Sequence, residues 1–257
     1  MRNTHFVLIF IIFILIGIIY YKKKDTFLEK NNNYVIYCFW TGKNKMSNNR
    51  KKALESLKNN SQVEVIFITP DNLNKYILET DPLHLAYDYL SETHKSDYLR
   101  WYFMHHYGGG YSDIKHNSFS WKPYFNQLYN NKNKWALGYK EVADHGLEEC
   151  SINKEVLDNY FKIFGNGSYI FKPKTAITYE WGLKLHKLLD EKLPLLKENP
   201  SSYPRDHYKS VIPGTNNKSK YPIDWAEMLG CILSSILYKY NDKLLLNLPL
   251  INTNNYI

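Results

Sequence analysis

Two short runs constrain this chain more than any other feature. YVIYCFW (Tyr34 to Trp40) is unbroken, rich in β-branched and aromatic residues, and closed by Thr41-Gly42. VEVIFIT (Val63 to Thr69) has the same character and is stopped by Pro70 and Asp71. Such runs read as buried strands. Between them Asn49 to Asn59 places Ala53, Leu54 and Leu57 on one helical face, and Asp71 is expected to cap a further short helix through Leu78. Strand, helix, strand, helix with near-continuous apolar strands implies a parallel sheet covered by helices on both faces. Ligands of such sheets sit beyond the carboxyl ends of the strands. Trp40 and Thr41 are therefore expected on a binding rim.

Downstream, Lys134 to Val142 and Ser168 to Lys172 are expected strands, and Thr175 to Leu193 and Asp224 to Tyr240 expected helices. The GNGS stretch from Gly165 lacks a phosphate-loop lysine and reads as a turn. Pro200 to Pro222 is rich in Pro, Ser and Asn and reads as loop.

At the amino end, FVLIFIIFILIGIIYY (Phe6 to Tyr21) is long enough at about 1.5 Å per residue to approach the span of a bilayer core of roughly 30 Å. The expected organisation is a tail over 1–5, a transmembrane anchor over 6–21, a polar stalk over 22–33 and a folded domain over 34–257, making a single-pass membrane protein. Lys22 to Lys24 and Arg2 leave the side of the membrane open. The net charge of +8 is scattered, with no basic helix or dense stripe, so a nucleic-acid partner is not expected. Three widely spaced cysteines indicate neither a zinc site nor a disulfide framework, although one bridge is possible.

The residues suited to chemistry cluster in SDYLRWYFMHHYGGGYSDIK (Ser96 to Lys115). Asp97 and Arg100 are one helical turn apart, so an acid for sugar hydroxyls and a planar guanidinium fork for a diphosphate can stand side by side. The same spacing also describes an ordinary surface pair with Ser96 as the helix cap. Gly108, Gly109 and Gly110 can end the helix, turn the chain sharply and let a ligand approach the backbone. Asp113 and Lys115 then share one face of a short strand. His105 and His106 are adjacent and point apart, so a joint metal site is not expected. Asp224 and Glu227 in IDWAE have the spacing of a capping box.

This block resembles the sugar-binding region of DXD-type glycosyltransferases of the family thirty-two group, which includes capsular polysaccharide synthesis proteins. YCFWTG is similar to that group's first strand, and YPIDWAEMLG (Tyr221 to Gly230) to its late W-x-E segment. The resemblance implies a GT-A-like, Rossmann-type mixed sheet flanked by helices. It also implies transfer of a hexose from a nucleotide-sugar donor, with retention, to a glycan, glycolipid or glycoprotein acceptor. Carried over, Asp97, Arg100 and Asp113 would be the catalytic set. Trp40, with Thr41, would meet the base, and Tyr111, Lys115, Trp225 and Glu227 would complete the donor site. Asp113 would bind a divalent cation, Mn²⁺ or Mg²⁺.

The pattern departs at one place, since Lys115 stands where the group places its second acid. Lys115 could supply part of the cation's charge itself, or it could point away while Asp113 and Glu227 or Asp224 hold the ion. A binding module without catalysis is the competing functional class.

Overall fold

The computed structural model describes residues 34–142, 150 and 154–250. The apolar run over 6–21 and the stalk lie outside the described residues. Among the described residues no helix is long and apolar enough to cross a membrane.

Six strands form one sheet: β1 (Val35–Phe39), β2 (Glu64–Ile68), β3 (Gly109–Ser112), β4 (Ala136–Lys140), β5 (Phe164–Phe171) and β6 (Leu244–Leu245), in the order β2-β1-β3-β5-β4-β6. The helices are α1 (Asn48–Asn60), α2 (Glu92–His106), α3 (Lys122–Tyr129), α4 (Lys154–Asp158), α5 (Ala176–Glu198) and α6 (Gly230–Lys239). β1 is apolar throughout because it is buried on both faces. Val35, Tyr37 and Phe39 enter a core shared with Phe103, Trp181 and Leu233 of α2, α5 and α6. Ile36 and Cys38 turn to the other face, against Leu54 and Leu57 of α1 and Phe125 of α3. Period-two alternation thus feeds two cores from one uninterrupted run.

The expected all-parallel sheet holds for β2, β1 and β3, but β5 is antiparallel to both β3 and β4. β4 skips a place in the order, and β5 enters that gap reversed, so the sheet is mixed, as the resemblance implied. Gly165 to Ser168 lie within β5 rather than forming a turn. An added Cβ at Gly165 would lie 2.3 Å from the Tyr139 ring, so this glycine allows β5 to pass beneath an aromatic side chain.

Several boundaries move for local reasons. α2 starts a turn and a half before Ser96, with Ser91 as its cap accepting from the His94 amide. Asp71 caps nothing; the neighbouring Asn72 side chain accepts from Thr69 N–H and donates to Phe67 C=O, ahead of a 3₁₀ turn over Leu73–Tyr76. α5 runs past Pro194 to Glu198, because one missing amide is tolerated where Leu196 is fully buried. The stretch from Asp224 is a series of turns, and α6 begins only at Gly230.

The glycine run serves packing. Gly108 has φ +65°, ends α2 with its amide on the Phe103 carbonyl, and lies where a Cβ would strike the Pro173 ring. Gly110 faces Trp121, Ile36 and Phe125, with a Cβ site 3.2–3.3 Å from each. Cys150 and Cys231 form a disulfide, while Cys38 is free and buried in β1.

Candidate functional site

The parallel strands β1 and β3 end on the same rim, and a cavity of about 500 Å³ opens there. Phe39, Trp40 and Tyr111 supply aromatic wall. Trp40 is oriented by its Nε1–H donating to the Asn44 carbonyl at 2.8 Å, and Thr41 Oγ1 donates to the Glu92 carbonyl at 2.6 Å. The first bond braces the loop after β1, and the second ties it to the first turn of α2.

Arg100 connects the elements behind the cavity. Its Nη1 donates to Asn166 C=O of β5 at 3.1 Å, and its Nη2 to Asp113 Oδ1 at 3.2 Å. The guanidinium carbon lies 4.3 Å from the centroid of the Tyr111 ring. Asp97 Oδ1 stands 3.6 Å from Nε, which has no hydrogen-bond partner. Asp97 is buried and does not line the cavity; it backs Arg100 from within. Burial pushes its carboxyl up to about 6, against the pull of Arg100 and with a further push from Asp113.

Asp113 is the centre of the arrangement. Oδ1 accepts from Tyr111 Oη–H at 2.6 Å as well as from Arg100, and Oδ2 pairs with Lys115 Nζ at 2.9 Å. Burial alone would raise this carboxyl, but Arg100, Lys115 and the Tyr111 hydroxyl outweigh it and hold it below the usual carboxylate range. Lys115 therefore does not point away, which corrects one of the two readings of the incomplete motif.

The carboxyl-terminal half reaches the cavity through a clamp on α2. Buried His94 bonds Tyr221 Oη through Nδ1 at 2.9 Å and the Asp224 carbonyl through Nε2 at 3.1 Å. Thr93 N–H donates to the Pro204 carbonyl. These contacts bring Arg205 and Trp225 to the cavity wall, the Arg205 guanidinium 5.1 Å from the Trp225 ring centroid. Glu227, expected at the donor, is turned elsewhere. It accepts from Asp224 N–H at 2.9 Å, the capping-box contact on a turn, and pairs with Lys192 at 3.0 Å.

Of the nine residues expected at the donor, Trp40, Thr41, Arg100, Tyr111, Asp113 and Trp225 line the cavity, while Asp97, Lys115 and Glu227 do not. The sequence reading missed Lys45, Arg50, Glu92 and Arg205, all of which line it. Arg50 was within reach, because the rim rule that singled out Trp40 applies equally to the first turn of the helix that follows. Arg205 was not, since nothing local marks a loop residue whose neighbour Pro204 accepts a hydrogen bond from Thr93, 111 positions away. The histidine pair diverges, His105 to Thr178 and His106 toward Asp81.

The residues around Asp113 do not fit a divalent cation. Such an ion needs several oxygen donors. Here both Asp113 oxygens are engaged by cations or a hydroxyl, Glu227 is turned to Asp224 N–H and Lys192, and no group of three or more acidic, His or Cys side chains among the described residues is placed to hold a metal.

Residues 15–114 match the family model of capsular polysaccharide synthesis proteins. The matched span includes β1, α1, β2, α2 and β3, hence Trp40, Arg100 and Asp113, and stops short of Lys115, Arg205 and Trp225. Over that span the chain is similar to a glycosyltransferase-related family with a part in polysaccharide biosynthesis. No curated protein matches the chain.

Proposed function

We propose that this protein is a glycosyltransferase of polysaccharide biosynthesis that moves a hexose from a nucleotide-sugar donor to a glycan, glycolipid or glycoprotein acceptor. The observation that carries this reading is Asp113, held ionised by Arg100, Lys115 and Tyr111 at the end of β3, beside an aromatic-walled and cationic cavity. Trp40 presents a ring for the base, and the cations suit a diphosphate. Asp113 is placed to orient sugar hydroxyls, with Asp97 fixing Arg100 from behind. Glu227 acts by holding the turn that carries Trp225.

In the reaction the bond from the anomeric carbon to the β-phosphate oxygen breaks and its electron pair leaves with the nucleoside diphosphate. The anomeric carbon, with retention, bonds to an acceptor oxygen, whose proton is released. Preorganised positive charge where the leaving group develops negative charge lowers that barrier. The apolar run over 6–21 would tether the domain to a membrane.

A second reading, a sugar-nucleotide binding module without turnover, is favoured by the engagement of both Asp113 oxygens. Hydrolysis of a panel of nucleotide sugars, with and without Mn²⁺, separates the two. We expect turnover of one donor and its loss in Asp113→Ala; binding without turnover of any donor favours the module, and full activity in the variant overturns the site.

A further inference from the structure

Three cations converge on the three residues that follow β3. Arg100 Nη2 reaches Asp113 Oδ1, Lys115 Nζ reaches Asp113 Oδ2, and Arg50 Nη1, from the first turn of α1, donates to the Ile114 carbonyl at 2.8 Å. Among the described residues that line the cavity, Lys45, Arg50, Arg100 and Arg205 outnumber Glu92 and Asp113, so its wall carries more positive than negative charge. Arg50 and Ile114 both line the cavity. The bond to Ile114 anchors the guanidinium at the turn that follows Asp113. Such a cluster attracts a polyanion and repels a divalent cation, consistent with the lack of an oxygen donor set for one among the described residues.

We propose that Arg50 is a diphosphate-binding residue and that, with Lys115, it supplies the charge a divalent cation would otherwise bring, so that nucleoside diphosphate binds without metal. This rests on the transferase reading and deepens it. α1 then serves as a rigid mount: Ala53, Leu54 and Leu57 bury its inner face against the sheet, and Ser47 caps it by accepting from the Arg50 amide. The side chain is thereby presented on an ordered helix rather than on the loop between Trp40 and Ser47.

The test is calorimetric titration of the full chain with UDP, GDP and the matching nucleosides, in EDTA and then in Mn²⁺. The expected result is that one diphosphate binds in EDTA and that Mn²⁺ changes its Kd by less than about threefold, well under the change expected for a required charge partner. Arg50→Gln should weaken that diphosphate by about tenfold to a hundredfold and leave its nucleoside within about twofold, with Arg50→Lys between. Retained nucleoside binding distinguishes a lost phosphate contact from a lost fold. Diphosphate binding that Arg50→Gln leaves unchanged, or that EDTA abolishes, overturns this assignment alone. Failure of the native protein to bind either diphosphate in both conditions overturns it together with the transferase reading.

Discussion

Lys115 Nζ lies 2.9 Å from Oδ2 of Asp113, so the residue that breaks the two-acid motif is the ion-pair partner of the acid that remains. A side chain standing where a metal ligand is expected has instead joined a cationic cluster. Lys115→Ala should therefore leave Asp113 with one cation fewer and weaken nucleoside diphosphate binding in EDTA by about tenfold, through lost positive charge behind the cavity wall. Lys115→Asp should bind it only when Mn²⁺ is added, because the restored acid would supply a second oxygen ligand. Calorimetry reads both, and a Lys115→Asp protein indifferent to Mn²⁺ would count against this role.

Arg100 stands between two carboxylates, 3.6 Å from Asp97 and 3.2 Å from Asp113, and also bonds the Asn166 carbonyl. Removing it leaves Asp97 buried without its cation, a loss of about 3–5 kcal/mol for breaking a buried pair. Arg100→Ala should show this in urea unfolding. Arg100→Lys should recover only part of it, since an ammonium cannot reach both Asn166 and Asp113 while stacking on Tyr111.

The acid response of stability combines opposite signs. Asp97 is pushed up to about 6 by burial, so between its ordinary 3.8 and 6 the folded chain holds the extra proton and stability falls as pH rises. His94 and His105 are pushed down to about 4 from 6.5, chiefly by burial, so over that window the unfolded chain holds the extra protons and stability rises with pH. His106 and His186 are pushed down as well, chiefly by burial, so the histidines outweigh the one aspartate and the unfolding midpoint should climb from pH 4 to 6.5. Asp97→Asn removes the opposing contribution and should make that climb steeper; an unchanged slope would show that Asp97 titrates normally.

The Cys150–Cys231 bridge joins positions 81 apart in sequence. Constraint of the unfolded chain over such a loop corresponds to about 4 kcal/mol in the chain-entropy account. Dithiothreitol and Cys231→Ser should both lower the unfolding midpoint, by similar amounts. Alkylation of the unreduced, denatured protein should label Cys38 alone; labelling of all three cysteines would contradict the bridge.

Much of the site's first half was legible because its residues are close in sequence to what positions them. Trp40 follows its strand directly, and Arg100 and Asp113 are joined by one helix and one glycine turn. The same local logic misread the glycines: they were expected to admit a ligand, but Gly110 is closed over by Trp121, just before α3, and Phe125 within it. The capping contact of Glu227 with Asp224 was legible because it is local, whereas its ion pair with Lys192 of another helix was not.

The sequence by itself determined the strands β1 and β2, the helix between them, the helical run that carries Asp97 and Arg100, and the rim at which Trp40 and Asp113 would meet, because apolar periodicity and strand ends are local properties. Only the tertiary structure decided that β5 runs reversed, that His94 carries Trp225 to the cavity, and that Arg50 and Lys115 gather around the turn after β3. Those outcomes depend on hydrogen bonds and ion pairs between residues far apart in the chain, whose geometry exists only once the two cores have packed against the sheet.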